Sequence, residues 1–202
     1  MRKKTGILFD LDGTLLNSLD DLAGAANRVL EEAGCPVHPV SSFRHFVGNG
    51  AQELIRRILP EEKRNGNFIA ACHKRFLELY PKSFNDRTKP YPGISKLLQL
   101  LQELAVPVGV ITNKPHDAAI TCVKDYLHSI DTDFVAGQKD DVLDVLPEES
   151  FYVGDSDVDM HTAANAGMTG VGVLWGFRDA QELEGAGASK LVGTPLEILD
   201  LL

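Results

Sequence analysis

Short apolar runs broken by abrupt polar or glycine-rich turns recur along this chain. Gly6-Ile7-Leu8-Phe9 ends at Asp10, and Val106-Pro107-Val108-Gly109-Val110-Ile111 ends at Thr112 and Asn113. Phe134-Val135-Ala136 follows, and Phe151-Tyr152-Val153 ends at Gly154 and Asp155. Gly170-Val171-Gly172-Val173-Leu174 and Leu191-Val192 complete the set. Continuous apolar runs predict strands buried on both faces, as in a parallel sheet. Helical spacing fills the intervals: Ile94, Leu97, Leu98, Leu101 and Leu104 mark one helix, and Ala118 to Tyr126 another. Asp157 to Ala166 reads as a helix closed by Gly167. Strands alternating with helices predict an α/β fold, a doubly wound parallel sheet.

One stretch breaks the alternation. From Asn17 to Asn85 the periodicity is helical, with Leu22, Ala25, Ala26, Val29, Leu30 and Ala33 marking a first helix. Leu54, Ile55, Ile58 and Leu59 mark another, and Phe68, Ile69, Cys72, Phe76 and Leu79 a third. This block is expected to be an inserted all-helical cap domain, residues 17–85, over an α/β core made of residues 1–16 and 86–202. The alternation resumes at Tyr91-Pro92-Gly93.

Composition narrows the class. The 202 residues are 44% hydrophobic and carry a formal charge of -9, so there is material for a core but no basic stripe for a nucleic acid. Cys35, Cys72 and Cys122 are scattered, without metal or disulfide spacing, which fits reduced thiols and a cytoplasmic location. The N-terminal apolar stretch is too short and too acidic for a signal peptide, and no run reaches the length of a membrane span. The expected partner is therefore a small molecule, with neither nucleic acid nor membrane; oligomeric state is not legible.

In an open parallel sheet, ligands bind at the carboxyl ends of the strands. Those ends here carry Asp10-Leu11-Asp12-Gly13-Thr14, Thr112-Asn113-Lys114 and Gly154-Asp155-Ser156-Asp157, with Asp159 nearby. Carboxylates gathered at one place resist ionisation unless a cation joins them. Mg2+ suits hard oxygen ligands and shares its shell with phosphate, so Asp10 and Asp155 are candidate ligands. A carboxylate beside a metal-bound phosphate is also a candidate nucleophile. Asp12 is placed to serve a leaving group as acid and then base. Thr112, Asn113 and the turn amides around Gly13 and Thr14 are candidate donors to phosphoryl oxygens. Asp159 reads equally as a group ordering the metal's water shell or as the start of a helix.

These motifs resemble the haloacid dehalogenase-like hydrolases: Asp10-Leu11-Asp12-Gly13-Thr14 at the first strand, Thr112 at the second, Gly154-Asp155-Ser156-Asp157-Val158-Asp159 at the fourth. The resemblance covers nearly the whole chain and implies a Rossmann-like core with a cap. It implies Asp10 as nucleophile and metal ligand, Asp12 as acid/base and ligand through its backbone carbonyl, and Asp155 as the remaining ligand. Members that cleave carbon–halogen bonds lack the second aspartate, so Asp12 favours phosphate chemistry. Val47-Gly48-Asn49-Gly50, Pro90-Tyr91-Pro92-Gly93, Thr112-Asn113-Lys114-Pro115 and Trp175-Gly176-Phe177-Arg178 point to the phosphoglycolate-phosphatase-like branch. Trp175 itself reads as packing.

The pattern departs at one place. The family's lysine, in a Lys-Pro pair opening a helix before the fourth strand, is absent from the 13 residues GQKDDVLDVLPEE. A crossover with its helix needs about 10–12 residues, so the connection is tight. Either the chain lacks this lysine and helix, or a segment of the protein is omitted at this connection; the intact aspartates favour the second, and an intact mass well above 22.0 kDa would support it. Neither Lys114 nor Lys139 occupies the family position. The leading expectation is a Mg2+-dependent phosphatase for small phosphorylated metabolites. A phosphosugar mutase, a pyrophosphatase and a non-catalytic phosphate-binding module are the alternatives.

Overall fold

The computed structural model describes residues 5–82, 87–138 and 149–202. In chain order the strands are β1 (Thr5–Phe9), β2 (Leu16–Asn17), β3 (Lys89–Pro90), β4 (Val108–Pro115), β5 (Val135–Gln138), β6 (Glu149–Gly154), β7 (Thr169–Val173) and β8 (Lys190–Val192). The α-helices are α1 (Leu19–Glu32), α2 (Phe43–Phe46), α3 (Ala51–Ile58), α4 (Gly66–Leu79), α5 (Ile94–Glu103), α6 (His116–Tyr126), α7 (Asp157–Asn165) and α8 (Ala180–Gly185).

Six strands form one sheet in the order β5-β4-β1-β6-β7-β8, and every neighbouring pair is parallel. β1 lies between β4 and β6, with Phe9 opposite Val110 on one side and Val153 on the other. Ile7, Leu8 and Phe9 are buried, as both-sided cover of a parallel strand requires. The chain works outward from β1 in both directions, so β1 sits where the strand order reverses, the place where such sheets bind ligands. Helix α5 buries Ile94, Leu97, Leu98 and Leu101 as the apolar spacing expects, but Leu104, read as part of the same face, is the helix's C-cap and is exposed.

β4 corrects the expected strand. It begins at Val108, not Val106, and runs through Pro115. Pro107 has no N–H to give a ladder, and its carbonyl instead accepts from the Ile7 N–H at 3.0 Å. Pairing with β5 continues, with a register shift, to Pro115 opposite Gln138. Thr112, Asn113 and Lys114 are therefore strand residues, not a turn beyond the strand. Phe134 falls in a short 3-10 turn, Thr132–Phe134, rather than in β5.

The chain divides into two compact units, residues 1–17 with 90–202, and residues 18–89. The second unit is helical. Its α1 buries Leu22, Ala25, Ala26, Val29 and Leu30, and its α4 buries Cys72, Phe76 and Leu79. Asn65 caps α4 by accepting from the Phe68 N–H at 3.0 Å. Arg57 holds the Val47–Gly50 loop, donating to the Phe46 carbonyl at 3.2 Å and to Asn49 Oδ1 at 2.6 Å. The buried Asp21 carboxylate accepts from the Thr88 N–H at 2.7 Å and the Thr88 hydroxyl at 2.6 Å, fixing the segment that leaves this unit. All three cysteines are buried thiols outside any disulfide. No helix among the described residues is long and apolar enough to cross a membrane. Residues 139–148, on which the question of the family lysine turns, lie outside the described residues, and Lys139 with them.

Candidate active site

The loop after β1 carries Asp10 to the centre of the sheet end, where its N–H donates to the Val153 carbonyl at 2.9 Å. A tight turn follows. The Leu15 and Leu16 N–H groups both return to the Leu11 carbonyl, and the Gly13 N–H donates to the Leu16 carbonyl at 2.9 Å. Gly13 has φ of +98°, a left-handed conformation that glycine alone adopts readily. A Cβ at Gly13 would also lie 2.5 Å from Asp155 Oδ2. The motif needs glycine here for both reasons.

Asp155 follows β6 and is fully enclosed. Its Oδ1 accepts from the Thr14 hydroxyl at 3.3 Å and its Oδ2 from the Phe177 N–H at 2.6 Å. Asp159 is the third residue of α7, and its Oδ2 accepts from the Asp155 N–H at 3.0 Å and the Ser156 N–H at 2.9 Å. The same oxygen accepts from the Ser156 hydroxyl at 2.7 Å. Asp159 therefore starts α7, one of its two sequence readings, and it also stands in the acidic group. Asp10, Asp155 and Asp159 each present a carboxylate oxygen, all within 4.8 Å of one another.

Burial and mutual repulsion govern these three acids. Asp10 is pushed well above the usual carboxylate range, first by loss of water and then by Asp159, Asp155 and Asp12. Burial and the neighbouring Asp159 raise Asp155 to about 7, against donation from Phe177 and the charge of Arg178. Burial raises Asp159 to about 6, against donation from Ser156. An all-oxygen set that resists ionisation in this way fits a hard divalent cation, whose charge would reverse the penalty.

Asp12 is differently placed. Both of its carboxylate oxygens accept from Lys114 Nζ, at 2.9 and 3.0 Å, and the Lys114 side chain is 1% exposed. Thr112 and Lys114 are buried, two residues apart in β4, while Asn113 between them is exposed. The structure thus gathers Asp10, Asp12, Gly13, Thr14, Thr112 and Asp155 at one end of the sheet and turns Asn113 to the other side of its strand. One expected donor, the Gly13 amide, is bonded within the turn, and the Thr14 side chain has a role the sequence did not suggest. The Gly13 N–H and the Thr14 hydroxyl are committed inside the site, to Leu16 and Asp155 respectively.

The residues that sequence reasoning missed lie after β7. Trp175 Nε1 donates to the Thr14 carbonyl at 2.9 Å, and Phe177 supplies its N–H to Asp155. Gly176 leaves no room for a side chain, since a Cβ would come 2.6 Å from both Asp155 Oδ2 and the Gly13 carbonyl. The available signals were the Trp175-Gly176-Phe177-Arg178 motif itself and its place, separated by Leu174 from β7, the strand beside β6.

Comparison with known proteins places the chain in a family. The family model described as haloacid dehalogenase-like hydrolase matches residues 7–140, and a second HAD-hydrolase-like model matches residues 111–197. The chain belongs to the haloacid dehalogenase-like hydrolases. It is 31% identical to the phosphoglycolate phosphatase of Chromobacterium violaceum, over 97% of this chain and 95% of that one. It is also 31% identical to the phosphoglycolate phosphatase of Pseudomonas putida, over 92% of this chain and 75% of that protein. Among solved structures, a phosphoglycolate phosphatase candidate from Lactobacillus delbrueckii subsp. bulgaricus superposes with a TM-score of 0.89 at 26% identity, covering 98% of each chain. A haloacid dehalogenase-like family protein from Streptococcus pneumoniae gives 0.86 at 23% identity, covering 100% of this chain and 99% of the other, a likeness of fold.

Proposed function

We propose that the chain is a magnesium-dependent phosphatase that hydrolyses small phosphate monoesters through a phosphoryl group carried on Asp10. The observation behind this reading is the Asp10–Asp155–Asp159 group, with Asp12 two residues from Asp10 in the same turn. Asp10 and Asp155, with the Asp12 backbone carbonyl, are the groups proposed to hold Mg2+. When bound, the ion neutralises these carboxylates and the charge on the phosphoryl oxygens.

An Asp10 carboxylate oxygen attacks phosphorus, and the bond from phosphorus to the ester oxygen breaks. Asp12 gives its proton to the departing alkoxide oxygen, which leaves as the alcohol. Asp12 then takes a proton from water as that water attacks the phosphoryl group on Asp10. The bond from phosphorus to Asp10 breaks, inorganic phosphate leaves, and both aspartates return to their starting states. Thr112 faces the same side of β4 as Lys114 and is proposed as a donor to the phosphoryl oxygens. Asn113 is proposed for the same role only if its side chain turns inward. Gly13 and Thr14 are proposed to act by shaping the turn and steadying Asp155 rather than by touching substrate.

Phosphoglycolate is the first substrate to test, because the relatives at 31% identity carry that name. The experiment is phosphate release from a panel of monoesters, phosphoglycolate included, with and without Mg2+. Turnover is expected only with Mg2+, reversed by chelation. Asp10→Asn is expected to lower it by at least about 10³-fold, as loss of a nucleophile does. Turnover without any divalent cation, or unaffected by Asp10→Asn, contradicts the reading. Transfer of phosphate to a second sugar position without release points to a mutase, and Mg2+ binding without turnover to a binding module.

A further inference from the structure

Lys114 has no part in the chemistry above, yet it is a fully enclosed cation at the end of β4. We propose that Lys114 is a positioning residue that holds the Asp12 carboxylate in its working place; this rests on the assignment of Asp12 as acid and base. The register explains how it gets there. Phe9 lies opposite Val110, so β4 continues past the end of β1 and brings Lys114 alongside the loop that carries Asp12. Strand alternation turns its side chain to the same side as Thr112 and away from Asn113, and the Lys114 N–H donates to Thr112 Oγ1 at 3.3 Å.

The contact is made to both carboxylate oxygens, at 2.9 and 3.0 Å, which fixes the position of the Asp12 carboxylate and its plane together. Such a pair is an expensive way to stabilise a fold, because removing both ions from water offsets most of their attraction. Its value here is placement. Asp12 has two proton transfers to make at fixed atoms, and three other aspartates stand at the same sheet end. A cation bonded to both oxygens of its carboxylate keeps Asp12 in one place for both transfers.

The test is a double-mutant cycle in steady-state kinetics, run with Mg2+ on the monoester turned over fastest in the panel. Lys114→Met is expected to lower kcat by about 10–100-fold with KM changed by less than about threefold, a fraction of the 10²–10⁴ available to acid–base catalysis. Lys114→Arg is expected to recover part of kcat, which also covers a Met variant that fails to fold. Added to Asp12→Asn, the Lys114→Met change is expected to cost no more than about a further twofold, because its effect passes through Asp12. The same fold loss in both backgrounds, or a raised KM at intact kcat, overturns the proposal and makes Lys114 a substrate ligand or a packing residue. If Asp12→Asn alone leaves kcat unchanged, or no monoester is turned over, the parent reading fails first and this one with it.

Discussion

Asp10 and Asp12 stand two residues apart in one turn, yet their surroundings have opposite character. Asp10 shares its space with Asp155 and Asp159, and burial with repulsion pushes all three upward. Asp12 instead meets a buried ammonium through both oxygens. The first region stores a charge problem that a divalent cation solves. The second has its counter-ion built into β4. One turn thereby holds a carboxylate crowded by other acids and a carboxylate held by a buried cation, the two groups that the proposed two-step phosphoryl transfer uses.

The comparison is broken most severely by crowding the metal side. At Gly176 a methyl group would lie 2.6 Å from Asp155 Oδ2 and from the Gly13 carbonyl, with backbone on one side and an anchored carboxylate on the other. Gly176→Ala is expected to lower magnesium-dependent activity by more than about tenfold and stability by about 1–3 kcal/mol, as overpacking does. Activity against Mg2+ concentration and a urea unfolding midpoint check both, and an unaltered Mg2+ dependence would detach Asp155 from metal binding.

A smaller effect sharpens the same contrast. Asp155 and Asp159 hold protons up to about 7 and about 6 when folded, against an ordinary value of 3.8. Between pH about 4 and about 7 these two carboxyls therefore bind more protons folded than unfolded, and their contribution to stability without metal falls as pH rises through that window. Added Mg2+ is expected to stabilise more at pH 8 than at pH 5, because it competes with those protons. Asp159→Asn removes one of the repelling charges and is expected to flatten the slope. Thermal unfolding in chelator and in Mg2+ across this range measures it; metal-free stability rising from pH 5 to pH 8 would contradict the crowded side of the comparison.

How much of this was legible in the chain follows from the range of each interaction. Asp10 and Asp155 announce themselves because an apolar strand stops at each, and a parallel sheet puts strand ends together. The helical unit was legible because its periodicity differs from that of the core. The Asp12–Lys114 pair was not, since it joins residues 102 apart through a register that no local pattern specifies. β4 also continues through Thr112, Asn113 and Lys114, polar residues that read as a turn once Ile111 ends the apolar run. In the sequence Trp175 reads as packing because an indole usually is; its N–H bond to the Thr14 carbonyl shows packing and site architecture in one residue. Asp159 stayed ambiguous because helix initiation and carboxylate clustering favour the same residue at the same position.

The central claim is that phosphate passes through Asp10. The direct measurement is an acid quench of the protein during turnover with Mg2+, followed by peptide mapping for a phosphoryl adduct. The account predicts an adduct on the Asp10 peptide, labile at high pH as an acyl phosphate is, and absent from Asp10→Asn. Turnover with the adduct on another residue, or full activity in Asp10→Asn, would contradict it.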